Sequence, residues 1–216
     1  MTLTDTGAYT ATVPGRAAST VVQFYVEATD GRAAKASYPS GGANSRALYK
    51  VNDGLANLTR LHNVRIIMTS ADAAFLHAST NVMSNEALGA TVIYDEREVF
   101  YDVGVHLQAS QRGRNDASRV GFTIRFNPDH LFRGVHDTIT IDRSGGYSGR
   151  GGKHDEIILR HVMNQAGDLP DMYNDFVRII APTTAHTGTG MLLMTKYGDE
   201  FLDAFILDAI EANGCY

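Results

Sequence analysis

Apolar and polar residues alternate along most of this chain, with two segments that switch to helical spacing. In "TVVQFYVEATD" the alternation puts Val22, Phe24 and Val26 on one face and Gln23, Tyr25 and Glu27 on the other, the two-residue period of a strand. "AYTATVP" and "AAKASYP" read the same way, and Asp30-Gly31 between them marks a hairpin turn. Residues 1–40 are therefore predicted to be β. Pro39 to Gly54 is rich in Pro, Gly, Ser and Asn and reads as a linker or extended connection, assigned to 41–59.

Beyond it, "NVRIIMT" is a predicted strand, and Ser70 is placed to cap a short helix, "ADAAFLHAS". "GATVIYDEREVFYDVGVHLQAS" reads as two strands around the polar turn Asp95-Glu96-Arg97. "VGFTIRFN" and "DTITID" add two more, and "RSGGYSGRGG" is a glycine-rich loop. The spacing of Ile158, Val162 and Ala166 predicts a helix over 153–166, with Gly167 and Pro170 to end it. "YNDFVRIIAP" and "GMLLMTK" form an expected antiparallel pair, and Phe201, Leu202, Phe205, Ile206, Ala209 and Ile210 mark the apolar face of a closing helix. Strands that pair with sequence neighbours, with helices inserted, predict an α+β mixed sheet rather than a doubly wound one.

Composition narrows the chemistry. The net charge of −5 argues against general nucleic-acid binding. The single cysteine, Cys215, excludes an intramolecular disulfide and a cysteine-based zinc site. No apolar run reaches the length of a membrane span, and "MTLTDTGAYT" lacks the pattern of a signal peptide. No histidine pair has the spacing of an H-E-x-x-H metal site, and no G-x-S-x-G elbow is present.

Against this acidic background, Arg112 to Arg150 holds seven arginines and four aspartates, a local excess of three positive charges. Arginine suits bidentate contacts to phosphate or carboxylate. An arginine-decorated edge strand gives the same count, so both readings stand. The candidate ligand contacts are Arg112, Gly113, Arg114 and Arg119 in "QRGRNDASRVGF", then Asp142 and Arg143 at a strand end, where a local ion pair is the alternative. Lys153 is a further candidate. It follows a glycine-rich loop that fails the P-loop pattern but precedes a helix N-terminus.

"YDVGVHLQASQRGR…RVGFTIRFNPDHLFRGVHDTITIDRSG", "HDEIILRHVMNQAGDLPDMYNDFVRIIAP" and "HTGTGMLLMTKYGDEFLD" together resemble the bacterial spore coat protein H (CotH) kinase-like family. The likeness is to the branch found in large secreted proteins with lamin-tail-like and immunoglobulin-like modules. It covers about residues 60–203 and rests on the succession of motifs. Residues 1–40 resemble the end of the immunoglobulin-like module that precedes this region in such proteins. The expected organisation is therefore 1–40 as part of a β-sandwich, 41–59 as linker, and 60–216 as the N-terminal part of a kinase-like domain. Met1 would then fall inside a module and the chain would be a fragment.

The resemblance implies binding of ATP and Mg, phosphorylation of secreted or coat proteins, and a place at the bacterial cell surface or outside it. Two departures bear on activity. The family's lysine segment, P-K-K-S-F, corresponds to Ser118-Arg119-Val120-Gly121-Phe122. Its acidic metal-binding and catalytic residues lie beyond the segment matching Phe201-Leu202-Asp203, close to Tyr216, where this sequence ends. The implied activity is an atypical protein kinase that is inactive as given. The alternative is a non-catalytic surface or structural module.

Overall fold

A computed structural model describes residues 1–56, 59–143, 155–166 and 172–196. Among them the fold is mixed, mostly strands with few helices. Seven strands close into a barrel: β7 (His62–Ile67), β8 (Leu88–Tyr94), β9 (Glu98–Gln108), β10 (Gly121–Arg125), β11 (Thr138–Asp142), β13 (Gly188–Thr195) and β12 (Asn174–Ile180), in that order around the ring. A ring of purely antiparallel neighbours needs an even number of strands. Seven therefore require a parallel pair, and it is β12 against β7, with Val177 opposite His62 and Ile180 opposite Arg65. Three helices accompany the barrel: α1 (Ser70–Leu76), the single turn α2 (Gln111–Arg114) and α3 (Asp155–Gln165).

The alternation expected for these strands fills the barrel interior. Phe122 and Ile124 of β10 point inward with Val103, Val105 and Leu107 of β9, Ile139 and Ile141 of β11, and Val177 and Ile179 of β12. The β8–β9 turn has Asp95 and Glu96 both at positive φ, 52° and 53°, the arrangement that matches the twist of a tight hairpin. A bulge in β9 opposite Ala90–Val92 puts Asp102 at φ 55° and turns its carboxylate onto the Arg46 amide. The α1 cap is Thr69, one residue earlier than expected. Its hydroxyl accepts from the Asp72 amide, because Thr69 still has extended backbone and Ser70 is already helical.

Gly121 has a steric reason. A Cβ there would lie 2.7 Å from the Ile141 carbonyl oxygen and 3.0 Å from that of Gln108. Gly121→Ala is expected to destabilise the fold by about 1–3 kcal/mol, as overpacking against backbone does, in urea denaturation followed by circular dichroism.

Residues 1–50 form three two-stranded antiparallel sheets: β1 (Thr2–Leu3) with β2 (Tyr9–Thr10), β3 (Val21–Gln23) with β6 (Leu48–Lys50), and β4 (Val26–Thr29) with β5 (Lys35–Tyr38). The stretch read as one strand, "TVVQFYVEATD", is thus two. It breaks at Phe24 and Tyr25, where the Phe24 ring packs edge-on against Tyr101, centroids 5.7 Å apart.

The stretch 41–59, expected as a linker, carries β6 and a 3-10 turn at Gly42–Asn44. Its described residues are tied to the barrel. Ala47 and Leu48 are buried, the Leu48 amide donates to Thr91 Oγ1 (2.8 Å), and Arg46 Nε donates to Asp72 (2.9 Å). Buried Arg65 pairs with Asp53 (2.8 Å) and Glu96 (2.9 Å), and Arg178 donates to the Leu55 carbonyl. Polar and glycine-rich composition marks irregular backbone here, and side-chain ion pairs supply the contacts.

Candidate functional site

One end of the barrel gathers the end of β9, the start of β10, the end of β11 and the start of β13. Arg112, Gly113, Arg114, Arg119, Asp142 and Arg143 all belong to these segments or to the β9–β10 connection. Lys153 lies outside the described residues, as do the glycine-rich loop 144–152 and the closing helix expected over 199–214.

Asp116 organises this end. Its Oδ1 accepts from the Ser118 amide (2.9 Å), the Ser118 hydroxyl (3.0 Å) and the Arg119 amide (2.9 Å), an Asx turn that fixes the loop. Its Oδ2 accepts from Arg143 Nη1 (2.9 Å). The Ser118 and Arg119 amides, then the Ser118 hydroxyl and Arg143, outweigh burial and hold the carboxyl down at about 2.

Gly113 is required by its close packing against Ala109. A Cβ at 113 would sit 2.5 Å from Ala109 Cβ and 3.6 Å from the Arg143 guanidinium, which lies against this turn. Arg119 donates from Nη2 to the carbonyls of Thr189 (3.2 Å) and Gly190 (3.5 Å), while its Nε is buried without a partner. A buried N–H on a cation with no acceptor is costly unless something supplies one.

The other candidates divide. Arg112 is exposed on α2, and Asp142 is half-buried at the end of β11 in register with Leu192. Arg114 turns inward. It is 8% exposed and donates to the carbonyls of Ala109 (3.0 Å) and Ser84 (2.8 Å) and to the Asn85 side chain (2.6 Å), so it braces the 82–85 loop against α2. The "QRGR" stretch forms a helical turn with Gly113 and Arg114 buried.

Two histidines complete this end. His186, in the 3-10 turn Thr184–His186, donates from Nε2 to the Asp116 carbonyl (3.2 Å). A carbonyl only accepts, so Nδ1 carries no proton in the neutral ring and accepts from the Thr183 hydroxyl (2.7 Å). The His77 ring stacks on His186, centroids 4.2 Å apart and planes 20° from parallel. Burial, then the neighbouring His186, pushes the His77 imidazole down to about 4, and its Nε2 is buried without a partner.

The opposite end carries a second cluster. Asp175 Oδ2 accepts from His62 Nδ1 (2.6 Å), Tyr173 (3.3 Å) and Tyr94 (3.4 Å), and the Arg133 guanidinium lies 4.1 Å from the Tyr173 ring centre. Burial, then the Tyr173 hydroxyl, raises the Tyr94 phenol. A cleft of about 450 Å³ opens nearby between α3 and the start of β12, lined by Ile157, Ile158, His161, Met172 and Tyr173 among others. Among the described residues no group of three or more His, Cys, Asp or Glu side chains could hold a metal, and no helix is long and apolar enough to cross a membrane.

Sequence reasoning passed over Asp116, His77 and His186. The "D-A-S" spacing of an Asx turn could have flagged Asp116. Nothing local connects His77 with His186. Compared with models of known protein families, with curated proteins and with solved structures, the chain has no match.

Proposed function

We propose that this chain is the phosphate-binding barrel of a kinase-like protein of the CotH type, which holds a nucleotide such as ATP at the Arg119–Arg143 end. The observation that carries the reading is the buried Arg119 Nε that lacks an acceptor, at the barrel end where the Arg143 guanidinium also lies, beside Asp116. Planar guanidinium groups match phosphate oxygens bidentately. Arg119 occupies the place where the family's lysine stands. Among the described residues no group of carboxylates could hold magnesium, so the part assigned to them is binding and orienting the nucleotide.

The Asp116–Arg143 pair favours a second, non-catalytic version of the reading. A carboxylate already neutralises the guanidinium best placed for phosphate. In both versions the proposed setting is a secreted or surface protein, and the proposed substrate or binding partner is another such protein.

Titration calorimetry with Mg-ATP tests the site. The expected result is binding that weakens by about tenfold or more in Arg143→Gln and in Arg119→Gln, the value of losing one charge-assisted contact. Wild-type-like affinity in both variants, or no heat with millimolar nucleotide, would remove the proposal. Incorporation of labelled phosphate into a protein substrate separates the kinase version from the non-catalytic one.

A further inference from the structure

The stacked imidazoles sit where three segments of the proposed site meet. His77 is the C-cap residue of α1, and His186 belongs to the turn joining β12 to β13. His186 in turn holds the Asp116 carbonyl, and Asp116 positions the Arg119 amide and the Arg143 guanidinium. Three and four residues beyond the turn, Thr189 and Gly190 supply the carbonyls that hold Arg119. The histidine stack therefore joins the end of α1 to the turn that holds Asp116 and, through it, both arginine-bearing segments.

We infer that the His77–His186 stack is an acid-sensitive latch on the anion site, closed when both rings are neutral and released when His77 takes up a proton. The inference rests on the phosphate-binding reading for what the latch controls, though not for the latch itself. A proton on His77 Nε2 would sit buried with no acceptor, against a ring whose own Nε2–H is committed to Asp116. Charging therefore favours an open state in which His77 reaches water.

The charged side chains linked to the pair through Asp116 do not compensate: Arg119 from the β9–β10 connection and Arg143 from β11 are both cations. Asp116 keeps its charge throughout the relevant range because it titrates near 2, and Arg143 already holds it. Asp72 lies at the other end of α1, where Thr69 and Arg46 hold it. His77 falls to about 4 from an ordinary 6.5, so the closed stack contributes fully above pH 6.5 and is lost progressively as the pH drops towards 4. Lysine- or arginine-like steering is not lost in this window; the ordering of the site is.

The test compares wild type with His77→Phe, which keeps a flat ring on His186 and cannot titrate, and with His77→Asn should the phenylalanine variant fold poorly. Two readouts are needed. First, amide exchange of residues 183–190, corrected for intrinsic rates, should accelerate about tenfold between pH 7.5 and pH 5 in wild type and stay nearly constant in the variant. Second, Mg-ATP affinity should fall about tenfold further in wild type than in the variant over the same range, the common protonation of the nucleotide cancelling in the ratio. Equal exchange behaviour in wild type and variant overturns the latch. No nucleotide binding at either pH overturns the site reading alone, and the exchange data then decide the latch.

Discussion

Arg65→Ala is expected to lower the unfolding free energy by about 3 kcal/mol, the low end for breaking a buried pair, because the buried Asp53 carboxylate keeps Lys50 (3.3 Å) as its one cation among the described contacts. The Arg65 and Asp53 side chains are 7% and 4% exposed, and Arg65 also reaches Glu96. Burial pushes the Asp53 carboxyl up, yet the Leu55 amide, Arg65 and Lys50 more than reverse this and leave it below its ordinary value. A carboxyl lowered in the folded state stabilises the protein at neutral pH, and that contribution disappears as acid carries it through its folded value. The double replacement Arg65→Met with Asp53→Leu should recover most of the loss, since no buried charge remains and Glu96 and Lys50 can turn to water. Guanidinium denaturation of the three proteins, with the pH dependence of wild type, checks the set. If Arg65→Ala is nearly neutral, residues 46–55 are not held to the barrel as described.

Phe122→Ala should be comparably severe, about 3–5 kcal/mol, for a different reason. Phe122 is fully buried in β10, between Leu107 of β9 and Ile141 of β11 in the ladder. Those neighbours are fixed by backbone pairing on both sides, so a closed barrel has little freedom to collapse into the space. Phe75→Ala offers the contrast. That ring is 49% exposed on α1, and its loss should stay below about 1 kcal/mol. Equal losses at the two positions would mean that the barrel interior is not the core.

The barrel strands were legible because their interiors alternate. In "GFTIRF" the apolar period of two is the inward face of β10, and the hairpin at Asp95-Glu96-Arg97 announced itself by polar residues between two apolar runs. Ring closure was not legible. It depends on β12 lying parallel to β7, a pairing between distant segments with no local mark in either. The same holds for residues 46–55, where Arg65, Asp53, Thr91 and Asp102 make the contacts and none belongs to an apolar pattern.

The site divides along similar lines. A local count of arginines pointed to one end of the barrel, where the Arg119 amide and the Arg143 guanidinium both reach Asp116. The count could not separate Arg114, which spends its donors on carbonyls and Asn85, from Arg119 and Arg143. Which way a guanidinium turns is decided by the acceptors the loops offer: Ala109, Ser84 and Asn85 for Arg114, Asp116 for Arg143.

The most direct test of the phosphate-binding account is an amide chemical-shift map of the isotopically labelled chain during titration with Mg-ATP. The account predicts that the largest shifts fall at residues 112–119, at Arg143 and at residues 186–190, and that Arg143→Gln diminishes them together. Shifts centred instead on the cleft beside α3, or on the Tyr94–Asp175 cluster, would contradict it, as would an unchanged spectrum at millimolar nucleotide.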